Sequence, residues 1–180
     1  MSILRIQKTS KVLSVCLQLL CNMLLLATLA MIAAMVWLAV LSGDGIPTAL
    51  HNMTHIFVNK DHGDYAKSDL IIKFSGDVAR LCLIIFVLFL VRMIFKDISR
   101  DYTPFVAKHT KRLKLISLLM AGMAFIPGLV EVVLIQIIDP VTFVYASFEL
   151  FFVLVAIVFF CLAQIFEYGR MLQQQSDETL

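Results

Sequence analysis

Residues 12–41 form a run of thirty positions without one charged side chain. About 20 apolar residues suffice for an α-helix to cross the hydrocarbon core of a bilayer, where every backbone polar group must find its partner inside the protein. The run is preceded by Arg5, Lys8 and Lys11, as in a signal peptide. Its apolar part is far longer than a signal sequence uses, and no A-x-A-like cleavage site follows it. It therefore reads as a permanent membrane anchor.

Three more stretches approach the same length, residues 78–95, 113–138 and 141–166. The first of them is the least uniform, because Arg80 and Arg92 leave only residues 81–91 free of charge. Both arginines fall near the predicted ends, where a long side chain reaches the headgroups. Composition points the same way: of 180 residues, 61% are apolar and 16% charged, outside the balance of a soluble domain. The expected architecture is all-α, a single integral-membrane four-helix bundle.

Basic residues orient it. Eleven of the fifteen lysines and arginines fall before residue 12, between Arg92 and Lys114, or at Arg170. Lys60, Lys67, Lys73 and Arg80 are on the other side. The positive-inside rule then makes both termini, the 96–112 loop and the 167–180 tail cytoplasmic. An extracytoplasmic loop of about 35 residues, 42–77, joins the first two helices. The net charge of +2 is too small to argue for direct contact with nucleic acid. Cys16, Cys21, Cys82 and Cys161 lie in apolar stretches with no CxxC spacing, and read as small core hydrophobes.

The outer loop mixes turn-rich pieces with a short β-like run, Asp69-Leu70-Ile71-Ile72-Lys73-Phe74. His51 and His55 are four apart, with Asp61, His62 and Asp64 nearby. Only the histidine pair has ligand spacing, so these read as solvated loop residues and no metal site is expected. In the cytoplasmic loop, Thr103 followed by Pro104 is a helix start, which begins the third helix near Pro104. Lys108, His109, Lys111, Arg112 and Lys114 beside Phe105 and Val106 suit contact with anionic headgroups or a partner.

The segment "DYTPFVAKHTKRLKLISLL" and the tail "IFEYGRMLQQQSDETL" resemble the bacterial membrane proteins grouped as domain of unknown function 2975. The resemblance covers about residues 80–180 and rests on Pro104-Phe105 and Arg112-Leu113, then on Tyr168, Gly169, Leu172, Gln173, Ser176, Asp177 and Thr179. Tyr102 stands where members tend to have glycine, and Glu178 where they have a hydrophobic residue. What the resemblance implies is a four-span protein of the bacterial inner membrane. It also implies a partnership with a small helix-turn-helix regulator, beside which members are often encoded. No established activity comes with it. Pro104, Phe105, Lys108, Lys111, Arg112, Tyr168, Gly169, Leu172, Ser176 and Asp177 are the resulting candidate contacts with a partner or lipid.

Two acids stand inside the apolar stretches. Glu131 lies eight residues before Asp139 and Glu149 nine after Pro140. If Asp139-Pro140 is a tight antiparallel turn, both acids sit about 12–14 Å from it, in one layer of the outer half. Ser117, Ala121, Ala124, Gly128 and Glu131 follow 4-3-4-3 spacing, a small-residue stripe that lets helices approach. Tyr145, Ala146, Glu149, Val153 and Ala156 form a comparable face on the fourth helix. Neighbouring interior carboxylates cannot both ionise cheaply, so a shared proton, a cation or a basic side chain is expected beside them. Tyr145, Gln136 and Arg80 are the candidate partners.

Two functions fit. One is a regulatory or sensory membrane component that binds a cytoplasmic partner. The alternative is a small proton, cation or ligand transporter using the Glu131/Glu149 pair, as a homo-oligomer because four helices leave little room for a pathway. The sequence carries no recognisable nucleophile and base, ligand set for a metal, or phosphate loop, so neither an enzyme nor a cofactor is expected.

Overall fold

The computed structural model describes residues 3–40, 67–101, 106–138 and 148–178. They form four helices, α1 (Ile3–Val40), α2 (Lys67–Asp101), α3 (Ala107–Ile138) and α4 (Leu150–Glu178). All four are long and apolar enough to cross a membrane, as a multi-pass membrane protein requires. The shortest has 29 residues, about 44 Å at 1.5 Å per residue. A hydrocarbon core is about 30 Å thick, so each helix projects beyond it.

The helix ends depart from the sequence reading. Residues 69–74 are not β-like: they are helical, in the first turns of α2. A lone strand would leave its backbone unpaired, whereas the helix satisfies it and buries Leu70. Val106 is not helical and the described α3 starts at Ala107; the Thr103-Pro104 start expected for it lies outside the described residues. The Val106 carbonyl accepts hydrogen bonds from the backbone N–H groups of His109 (2.9 Å) and Thr110 (3.4 Å). Phe148 and Glu149 also lie outside helix, interrupting the continuous span expected over 141–166. The Glu149 carbonyl accepts the Phe152 N–H at 3.1 Å, which puts Glu149 at the N-cap of α4. A carboxylate there complements the positive end of the helix.

The helices pack in chain order, α1 on α2, α2 on α3 and α3 on α4. Among the described residues, α1 approaches no helix backbone except that of α2. Neighbours across the later pairs are antiparallel. Lys73 meets Glu131 while Asp97 meets Arg112, and Ser117 meets Ala156 while Phe125 meets Phe148.

One face of α2 organises this. Lys73, Gly76, Arg80, Leu83, Val87, Leu90, Ile94 and Asp97 follow strict 3-4 spacing, the periodicity of a helix seam. Its middle is apolar: Val87 and Leu90 form a buried cluster with Ile116 of α3, flanked by Ile94, Leu119, Met120 and Phe159. Its ends are charged, basic at Lys73 and Arg80 and acidic at Asp97. The partner helix reads basic to acidic in its own direction, from Lys108 and Arg112 to Glu131. Only antiparallel pairing puts opposite charges together at both ends.

On the other side of α3, small residues set the contact with α4. Ala156 and Ala163, seven residues apart, are buried. The Ser117 hydroxyl donates to the Ala156 carbonyl at 2.9 Å, a close backbone approach of the kind small side chains permit. The outward faces are apolar, including Leu19, Met23 and Leu26 on α1 and Leu154, Val158 and Ile165 on α4. Cys16, Cys82 and Cys161 are exposed on such faces and Cys21 is half-buried. They are not core residues, because the core seam is already filled by larger apolar side chains.

Candidate functional site: two acids on one basic helix

Both acids find a cation on α2. Glu131 Oε1 lies 3.5 Å from Lys73 Nζ, and the Glu149 carboxylate accepts a hydrogen bond from Arg80. Lys73 and Arg80 are two helical turns apart, about 10 Å along the axis. The acids, expected as one mutual pair at one depth, are therefore anchored at different levels, each with its own base. Two positive and two negative charges balance, which removes the cost of an uncompensated charge away from water.

Gly76 makes the first of these pairs fit. A Cβ placed there would overlap the Glu131 side chain, whose Cγ and Cδ would lie 2.7 and 2.9 Å from it. Glycine is needed here because another side chain occupies its space, not because of its backbone freedom. Gly76→Ala is expected to push the Glu131 carboxylate off Lys73 and destabilise the protein by about 1 kcal/mol, as overpacking does. In a Glu131→Ala background the same change should be neutral or stabilising, since the obstacle is gone. Unfolding titrations of the four proteins in mixed micelles read this directly; an equal penalty in both backgrounds would place the constraint on Gly76 elsewhere.

The opposite end of the seam holds a second cluster. Asp97 Oδ2 accepts from Arg112 at 2.7 Å and lies 3.2 Å from Lys108. Arg112 is buried, with its side chain 9% exposed, whereas that of Lys108 is 61% exposed. His109 is buried beside them. On α4, Arg170 donates to Glu167 at 2.6 Å. Between the two ends, Arg92 donates to Gln18 of α1, so this arginine is held by a neighbouring helix as well as lying near its span's end.

The structure thus joins Arg80 to Glu149 and turns Lys108 and Arg112 toward Asp97. Gln136 is exposed. Lys111, Tyr168, Leu172 and Ser176 are exposed, Gly169 is half-buried, and Asp177 lies in the last turn of α4. Tyr145, Pro104, Phe105, His51, His55, Asp61, His62 and Asp64 fall outside the described residues.

Sequence reasoning missed Lys73, Gly76, Asp97 and Gln18. The first two were assigned to a loop. Asp97 did carry a signal, as an acid among seven basic residues, and so did Gln18, an amide inside an uncharged run. Comparison of the chain with family models, with curated proteins and with solved structures finds no significant match.

Proposed function

We propose that this chain is a regulatory or sensory component of a bacterial inner membrane that binds a cytoplasmic partner through its 167–180 tail. The observation that carries this reading is the end of α4. The helix continues to Glu178, well past the apolar stretch that ends near Phe166. Around the Glu167–Arg170 pair it presents Tyr168, Met171 and Leu172 exposed on one face, at spacing i, i+3, i+4. An apolar face on a helix that has left the lipid suits a groove on another protein. The tail's resemblance to family members encoded beside helix-turn-helix regulators names the partner class.

The paired acids weigh against the transporter alternative. A proton or cation would have to displace Lys73 from Glu131 or Arg80 from Glu149, leaving a cation unpaired in each case. In this reading the two glutamates hold α3 and α4 against α2 and keep the tail in place.

The test uses the full-length protein in lipid nanodiscs and a small helix-turn-helix regulator of the class encoded beside members of the resembled family. Binding is expected, with a loss of about tenfold or more in a Tyr168→Glu, Leu172→Glu variant, since apolar anchors carry most of an interface's energy. Undiminished binding by that variant would remove the tail from the reading. Vesicle flux that depends on Glu131 and Glu149, without any such binding, would establish the alternative.

A further inference from the structure

Of the basic residues near the Asp97 end, most are engaged. Asp97 takes Arg112 and Lys108, Glu167 takes Arg170, and Gln18 takes Arg92. Lys111 and Lys114 of α3, like Lys96 of α2, are exposed and form no ion pair among the described residues. Lys114 is near enough to Glu167 to act on its charge without bonding to it.

These two lysines begin a stripe along α3. Lys111, Lys114, Leu115, Leu118, Gly122 and Phe125 follow one face at three- and four-residue steps. Leu115, Leu118 and Phe125 are exposed, Leu118 by 68%. At Gly122 the Ile126 side chain covers the helix, its Cδ1 3.1 Å from where a Cβ would stand. From Leu115 to Phe125 is ten residues, about 15 Å along the helix, which equals one leaflet of a hydrocarbon core about 30 Å thick. The stripe is basic at the headgroup level and apolar for one acyl-chain length.

We propose that Lys111 and Lys114 bind the headgroup phosphate of an anionic phospholipid, with an acyl chain running over Leu115, Leu118 and Phe125. Charge complementarity selects the occupant: two exposed cations that form no ion pair among the described residues match a headgroup that keeps a net negative charge, and a zwitterionic headgroup supplies its own cation. Arg112, which the sequence groups with the lipid-contact candidates, takes no part because Asp97 holds it inside. The proposed contacts all stand on α3 and need no protein partner.

Native mass spectrometry of the full-length protein, released from nanodiscs of equal phosphatidylglycerol and phosphatidylcholine with matched chains, tests this. Retention of phosphatidylglycerol is expected to exceed that of phosphatidylcholine by about tenfold or more, as two lysines near a membrane surface would give. Lys111→Gln with Lys114→Gln should abolish the preference, while Lys111→Arg with Lys114→Arg should keep it. Lys8→Gln with Lys11→Gln removes the same charge from exposed positions on α1 and should also keep it. Equal retention of the two lipids overturns the proposal. So does an equal loss in both glutamine variants, which would reduce the effect to unspecific attraction.

Discussion

Asp97→Ala is expected to destabilise the protein by about 3 kcal/mol, because it leaves a buried arginine without its counter-charge. The acid bridges α2 to two bases on α3, and the two are not equivalent. Arg112 is almost fully enclosed and bonds Asp97 at 2.7 Å, whereas Lys108 is largely exposed at 3.2 Å. Lys108→Ala should therefore cost no more than about 0.5 kcal/mol, the range of solvated pairs. Arg112→Met combined with Asp97→Ala should recover most of the loss, since a buried pair replaced by apolar groups leaves no stranded charge. Unfolding of the wild type and these three variants in mixed micelles measures each step. If Asp97→Ala and Lys108→Ala had equal, small effects, the cluster would be a surface feature and the seam between α2 and α3 would rest on its apolar middle alone.

The same seam explains what could be read from the sequence. Four helices follow from four apolar stretches, because a bilayer imposes a length and forbids unpaired backbone. Arg80 was also legible as one candidate partner of the two acids, though not that Glu149 is the one it takes. Lys73 was not, since hydropathy marks where lipid is and not where a helix stops. "KSDLIIKFSGD" looks like a polar loop by composition, yet it is helical in the protein, where Leu70 is buried and Lys73 meets an acid 58 residues away. Local preference is a weak prior when such tertiary contacts are available. The 3-4 spacing from Lys73 to Asp97 was present in the sequence all along, but its charged ends hid it from any search for apolar periodicity.

The reading of Glu149 turns on a sign. If the two acids were chiefly a repelling pair, Glu149→Gln would relieve the repulsion and leave stability unchanged or improved. The structure instead gives Glu149 to Arg80, about 10 Å along α2 from the Lys73 level, and places it at the N-cap of α4. Removing its charge then weakens two favourable interactions and leaves the Arg80 guanidinium without its carboxylate. Glu149→Gln and Arg80→Gln are each expected to cost about 2 kcal/mol, below the loss for a fully buried pair because both side chains remain partly exposed. The double variant should cost clearly less than the sum of the two, giving a coupling energy of at least about 1 kcal/mol. Glu131→Gln should be milder, since its 3.5 Å contact with Lys73 is longer. A stabilising Glu149→Gln would reverse the assignment and return the acid pair to the role of a proton or cation site. Additive losses at Arg80 and Glu149 would show that each is held by something other than its partner.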